Sequence, residues 1–137
     1  MAGAGRAMKL EGLVDMTRCL LIDEDSAERR RLQQLLAGLG LETAYSTVAE
    51  DALKYCNDNA PEVVMLSAGN ASGAQRDLIK RLQMCAGSKP PVVFLYAETP
   101  DTDMIGQSIL DGAADVLMMP FDQDLLQFKL RQAGVLS

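Results

Sequence analysis

Short apolar runs alternate with longer amphipathic stretches along the chain from Thr17 onward. The runs hold three or four consecutive apolar residues, which is typical of strands buried on both faces of a parallel sheet. The stretches between them repeat apolar side chains every three to four residues, as an amphipathic helix does. The pattern therefore predicts five units, each made of a strand followed by a helix.

The predicted elements can be placed from the apolar runs and the residues that punctuate them. Gly40 and Gly112 are typical of residues just past a helix, and Asp101 or Thr102 is a typical residue before one. Strands separated by helices indicate a parallel sheet with right-handed crossovers and helices on both faces, a doubly wound three-layer α/β/α fold. The predicted strands are Cys19–Ile22, Leu41–Tyr45, Val63–Leu66, Val92–Leu95 and Val116–Met118; the helices cover about 27–39, 49–57, a segment with Leu78, Ile79 and Leu82, 102–110 and 122–132.

The composition of the chain excludes several classes of function. A chain of 137 residues suits one domain, and a net charge of −6 disfavours a nucleic-acid-binding surface. The chain has no histidine, which excludes Ser-His-Asp and Cys-His catalysis and most zinc sites. Cys19, Cys56 and Cys85 are odd in number and far apart, so we expect buried, reduced thiols of a cytoplasmic protein.

Residues 1–16 precede the first predicted strand. No run approaches the roughly 20 apolar residues of a membrane-spanning helix, and residues 1–16 lack a secretory apolar region. We expect residues 1–16 to be a disordered leader, a cloning remnant or an extension from an upstream start codon. The folded domain is predicted to cover residues 17–137, without contact to a membrane.

Three segments in order, "CLLIDED", "PEVVML" and "GAADVLMMPFDQDLLQFKL", resemble the receiver domain of bacterial response regulators. The resemblance covers about residues 17–135 and implies a flavodoxin-like or CheY-like sheet. Receivers phosphorylate their own aspartate with the help of Mg²⁺, an acidic pair, a hydroxyl residue and a lysine. In parallel sheets such groups lie at the carboxyl ends of the strands.

The resemblance assigns this chemistry to five positions of the chain: the acidic pair to Asp23 and Glu24, the acceptor to Ser67, the hydroxyl to Tyr96 and the lysine to Met119. A serine hydroxyl is not ionised near pH 7, and the chain has no histidine to activate it. A methionine offers no charge to phosphoryl oxygens. The pattern therefore predicts a degenerate receiver site, no enzyme activity, no cofactor, and weak or absent Mg²⁺ binding at the acidic pair.

The switch that accompanies phosphorylation in receivers is altered as well. Val116 stands where the resemblance expects an aromatic residue that moves when a phosphate binds. Tyr96 and Met119 are expected to form an apolar plug over the site, with a small ligand pocket as the alternative.

Two charged segments leave alternatives open. Asp23 to Asp25 either bind a cation or form an acidic loop that caps the first helix. The run Arg29, Arg30 and Arg31 either holds a cyclic dinucleotide or an acidic partner, or forms a solvated helix face. "LLIDEDS" also resembles the start of haloacid-dehalogenase-type phosphotransferases, but the late strand lacks the acidic pair of that family.

An apolar patch on the last helix is the candidate contact surface. Leu125 and Phe128 are rotated by about 100° from the Leu126 and Leu130 stripe, so with Met104 they are predicted to form an exposed partner face. The alternative is a helix buried all round.

The sequence therefore predicts a stand-alone pseudo-receiver that acts without phosphorylation. We expect it to be a monomer or a weak homodimer. Its partner would be a histidine kinase, a phosphotransferase or a downstream effector. The predicted contact surface is formed by the fourth helix, the fifth strand and the last helix. A ligand sensor and residual phosphoryl transfer remain the alternatives.

Overall fold

A computed structural model describes residues 17–68, 73–85 and 90–136 of the chain. Within these ranges, five parallel strands alternate with five helices, which confirms the predicted fold class. The predicted leader and the loop after Ala68 lie outside the described residues. The elements are β1 Arg18–Ile22, α1 Ser26–Gly38, β2 Glu42–Ser46, α2 Ala49–Asn59, β3 Val63–Ser67, α3 Gly73–Cys85, β4 Val92–Ala97, α4 Thr102–Asp111, β5 Asp115–Met118 and α5 Gln123–Gln132.

The strand order of the sheet is β2-β1-β3-β4-β5, so β1 lies between β2 and β3 and β5 forms an edge. The chain therefore winds in one direction from β1 to β2 and in the other from β3 to β5. In open α/β sheets, the crevice at such a reversal lies at the carboxyl ends of the strands and is where ligands bind.

Two core layers cover the two faces of the sheet. The α2/α3/α4 layer buries Leu53 of α2 and Ile79 of α3 against one face. The α1/α5 layer buries Leu36 of α1 and Leu126 of α5 against the other. Neighbouring residues of a strand point to opposite faces, so Leu95 packs in the first layer and Tyr96 in the second.

Aspartates begin three of the helices. Asp25 accepts hydrogen bonds from the amides of Ala27 and Glu28, which begins α1 at Ser26, one residue before its predicted start. Asp101 and Asp122 cap α4 and α5 in the same way. The acidic loop therefore has the capping role that the sequence analysis gave as one of two alternatives.

The carboxyl ends of β3 and β4 lie beyond their predicted ends. β3 includes Ser67 and β4 includes Tyr96, because these residues are paired with each other in the parallel register. Both site residues are therefore held by strand backbone rather than by a loop. Among the described helices, none combines the length and apolar character that crossing a membrane requires.

The first and last helices are tied together by side chains. Arg31 Nη2 donates to the carbonyl of Phe121 at 2.6 Å, and Gln123 Nε2 donates to the carbonyl of Leu35 at 3.0 Å. These bonds fix α5 and the turn before it against α1.

Candidate functional site

The carboxyl edge of the sheet carries a cavity of about 710 Å³. Its lining includes all five positions that the sequence analysis assigned to the degenerate receiver site: Asp23, Glu24, Ser67, Tyr96 and Met119. They meet there because the carboxyl ends of parallel strands share one edge of the sheet. The cavity is the candidate functional site.

Asp23 is the buried carboxylate of this site, with only 6% of its surface exposed. Its Oδ2 accepts a hydrogen bond from the hydroxyl of Tyr96 at 2.6 Å, and its Oδ1 accepts one from the amide of Asp25 at 2.9 Å. Its backbone amide donates to the carbonyl of Ser46 at 3.2 Å, and its carbonyl accepts from Arg29 Nη1 at 2.8 Å. Both carboxylate oxygens and both backbone groups of Asp23 therefore have partners within the chain.

Tyr96 reaches Asp23 from inside the core. Its ring is 1% exposed, lies in the α1/α5 layer and meets the ring of Phe121 edge-on, with 6.5 Å between ring centres. Burial, followed by the hydrogen bond to Asp23 and the charge of that carboxylate, raises the pKa of Tyr96 far above its usual value. The tyrosine therefore stays protonated and remains a hydrogen-bond donor. This polar bond corrects the expectation of a purely apolar plug.

The acceptor and lysine positions hold side chains without charge. Ser67 is half-buried at the end of β3, opposite Tyr96. Met119 is half-buried against the α1/α5 layer, and its amide donates to the carbonyl of Ala97 at 2.8 Å. Val116, the switch position, is half-buried against the α2/α3/α4 layer. Neither Ser67 nor Met119 offers a charge to phosphoryl oxygens.

The acidic residues of the site do not fit the Mg²⁺ ion that the receiver resemblance implies. Mg²⁺ needs several oxygen ligands in near-octahedral geometry. Asp23 Oδ2 already accepts from Tyr96, Asp25 caps α1, and Glu24 is exposed. Across residues 17–68, 73–85 and 90–136, no group of three or more acidic, cysteine or histidine side chains is placed to hold a metal ion.

The arginine run does not form one surface. The guanidinium of Arg29 stacks over the ring of Tyr45 at 4.3 Å, whereas that of Arg31 lies 5.7 Å from the ring of Phe121. Residues two apart on a helix are separated by about 200°, so these two side chains serve different sides of α1. Only Arg30 is exposed, which corrects the interpretation of the whole run as a solvated face.

Exposed apolar side chains lie along the β5 edge of the domain. Phe128 is 56% and Leu125 is 38% exposed on α5, and Met118 of β5 is 63% exposed. Met104 does not belong to this surface, because it is half-buried against the α2/α3/α4 layer. We define the apolar face by five exposed side chains on α4, β5 and α5: Ile105, Ile109, Met118, Leu125 and Phe128.

Three members of the apolar face were missed by the sequence analysis. Ile105 and Ile109 are four apart on α4, a spacing that places them on one side of the helix. Met118 follows the buried Leu117 in an edge strand, where alternate side chains point outward. These patterns place Ile105 and Ile109 on one side of α4 and Met118 on the face opposite Leu117, but neither pattern by itself distinguishes an exposed side from a buried one.

Comparison with known proteins gives consistent results. A family model described as the flagellar regulatory protein FleQ matches residues 18–135. The KDP operon transcriptional regulatory protein KdpE of Escherichia coli K12 is 31% identical over 119 residues, which cover 86% of this chain and 51% of that protein. The chain thus spans about half the length of this relative.

Solved structures share the fold. A response regulator from Thermotoga maritima has a TM-score of 0.77 at 18% identity, with 85% of this chain and 96% of that chain covered. The signal receiver domain of an HD domain-containing protein from Pseudomonas fluorescens Pf-5 has a TM-score of 0.73 at 27% identity, with 87% and 94% covered. Since the family model matches most of the chain, the chain belongs to the family of the flagellar regulatory protein FleQ, and its fold is that of a response regulator receiver domain.

Proposed function

We propose that the chain is a pseudo-receiver that acts in signalling by binding a protein partner without being phosphorylated. The observation that carries the proposal is the set of side chains at the strand ends. Ser67 occupies the acceptor position, and Met119 occupies the lysine position. The hydroxyl of Tyr96 already donates a hydrogen bond to Asp23. Phosphoryl transfer needs an activated acceptor and cationic groups to stabilise charge, and these three side chains supply neither.

The apolar face supports protein binding as the output. Side chains such as Met118 and Phe128 are more than half exposed, and clustered exposed apolar residues mark interaction sites. An ion pair of 2.6 Å between Lys129 Nζ and Asp115 Oδ2 joins α5 to β5 beside this face. The description of the matching family as a flagellar regulatory protein favours a partner within flagellar regulation.

The cyclic-dinucleotide sensor is a weaker alternative. Arg29 and Arg31 make contacts within the domain on different sides of α1, so the three arginines do not form one exposed surface. The contacts of the arginine run therefore favour the docking proposal.

Treatment with acetyl phosphate in the presence of Mg²⁺ is expected to leave the chain unmodified. The physical reason is that a serine hydroxyl is not ionised near pH 7, and the chain has no histidine to activate it. Intact-mass spectrometry should show no phosphoryl adduct, while a receiver with an aspartate acceptor, treated in parallel, should show one. A stoichiometric adduct on this chain would contradict the proposal.

Replacing both Leu125 and Phe128 with aspartate is expected to weaken partner binding by at least about tenfold, because charged groups would be buried without partners in the contact. Pull-down of the partner, followed by calorimetry with the purified protein, measures the loss. Met84→Asp is the matched control, since Met84 is 78% exposed on α3, in the layer away from α5. Equal partner recovery by both variants would exclude the apolar face as the contact.

A further inference from the structure

We infer that the hydroxyl of Tyr96 takes the place of a bound cation at Asp23. Its hydrogen bond keeps the carboxyl edge of the sheet in one arrangement without any ligand. This inference rests on the proposed function, because it names what keeps the docking domain independent of phosphate and metal. It follows from three properties of the site: its charge balance, the direction from which the hydroxyl arrives, and the strand ends that it joins.

The charge balance of the cavity calls for a group that stabilises Asp23. Its described lining includes five carboxylates, those of Asp23, Glu24, Asp25, Glu28 and Glu98, and no lysine or arginine. A buried carboxylate is costly unless it is hydrogen-bonded or paired with a positive charge. The nearby Arg29 donates to the backbone carbonyl of Asp23 and not to its carboxylate. The O–H of Tyr96 and the N–H of Asp25 are therefore the donors that stabilise the carboxylate oxygens.

The hydroxyl of Tyr96 arrives from the core and not from the cavity mouth. Its ring is held between buried residues of the α1/α5 layer, edge-on to Phe121. The oxygen–oxygen distance of 2.6 Å is that of a short, charge-assisted bond. A cation that approached Asp23 Oδ2 from the cavity would have to share that oxygen with a donor that the core keeps in place.

The bond joins the end of β1 to β4, and backbone hydrogen bonds link the ends of the other strands to these two. Through its amide, Asp23 holds Ser46 at the end of β2, and through its carboxylate it holds Tyr96 of β4. The carbonyl of Tyr96 accepts from the amide of Ala68 after β3, and the next carbonyl of β4 accepts from the amide of Met119 after β5. The strand ends around the cavity are thus linked by hydrogen bonds within the chain, and the hydroxyl of Tyr96 supplies the side-chain bond between β1 and β4.

Tyr96→Phe tests the inference, because it removes the hydroxyl and keeps the ring. The variant should bind Mg²⁺ and Mn²⁺ more tightly than the wild-type chain does, because the Oδ2 of Asp23 has lost its hydrogen-bond donor. Removing a hydrogen bond to a charged group corresponds to about a ten- to hundredfold gain over the wild-type chain. Amide chemical shifts of residues 23–25 and 96–98 under Mg²⁺ titration, and line broadening by Mn²⁺, measure it. Tyr45→Phe, which removes the hydroxyl of an exposed tyrosine on β2 and keeps its ring, is the matched control and should show no gain.

A second variant keeps the inference testable if Tyr96→Phe does not fold. Asp23→Asn combined with Tyr96→Phe removes the buried charge together with its donor, so it should fold more stably than Tyr96→Phe alone and bind no cation. Equal Mg²⁺ affinity of the wild-type chain and Tyr96→Phe, or a double variant no more stable than the single one, would overturn the inference. Neither measurement uses a partner or a phosphodonor, so failure here is separate from failure of the apolar face.

Discussion

Leu126→Ala is expected to lower the free energy of unfolding by about 2–5 kcal/mol. Leu126 of α5 is fully buried and packs in the α1/α5 layer with residues such as Leu32 and Leu36. Truncation removes apolar contacts and leaves a cavity that two helices and the sheet cannot close without moving. Urea-induced unfolding followed by circular dichroism measures the change.

The neighbouring Leu125→Ala provides the control for this prediction. Leu125 is 38% exposed, so the same truncation should cost less than about 1 kcal/mol. The two residues have the same side chain on the same helix and differ in the face on which they lie. Similar losses at both positions would mean that α5 is rotated from the described orientation.

Gly112→Ala is expected to lower the free energy of unfolding by about 2–3 kcal/mol. Gly112 ends α4 with a φ of +120°, which L-residues rarely adopt. A Cβ at this position would also lie 2.8 Å from Cγ of Gln83, whose Nε2 donates to the carbonyl of Pro91. The substitution therefore strains the backbone and disturbs the hydrogen bond between α3 and the start of β4. Thermal and urea unfolding both report the loss.

Gly106→Ala should have the opposite sign. Gly106 lies within α4, and a Cβ there would have no neighbour within 4 Å. Alanine in a helix interior stabilises by about 0.5–1 kcal/mol relative to glycine. A loss of stability at Gly106, or a gain at Gly112, would contradict the described ends of α4.

The three inner strands could be predicted because each is an apolar run buried on both faces, and the edge strands β2 and β5 followed from their places between predicted helices. Val63 and Val64 of β3, for example, point to opposite layers, and both are fully buried. The strand ends could not be predicted, because Ser67 and Tyr96 are polar residues that belong to β3 and β4 through their pairing with each other. A pairing partner 29 positions away leaves no local pattern in the sequence.

The gathering of the site residues could be predicted, whereas the bonds among them could not. Strand ends of one parallel sheet meet, so Asp23, Ser67 and Tyr96 were expected at one edge. The ring of a tyrosine at this position can cover the cavity, or its hydroxyl can donate a hydrogen bond within the cavity. Which of the two occurs depends on the layer in which the ring is packed. The structure places the ring of Tyr96 in the α1/α5 layer, from which the hydroxyl reaches Asp23.

The apolar face shows a limit of helical periodicity. α4 has apolar residues at Met104, Ile105, Ile109 and Leu110, and this spacing is compatible with more than one buried side. Met104 is half-buried against the α2/α3/α4 layer, so the prediction of its exposure was wrong. Ile105 and Ile109 are exposed instead. On α5, the separate stripe of Leu126 and Leu130 made the orientation predictable.

The ties between α1 and α5 have a consequence for synthesis of the chain. The bonds of Arg31 to Phe121 and of Gln123 to Leu35 join residues 90 and 88 positions apart. Leu32 and Leu36 therefore have no cover on the α5 side until the last helix has left the ribosome. A nascent chain that ends before Gln123 presents an open apolar layer, which is a substrate for chaperones and proteases.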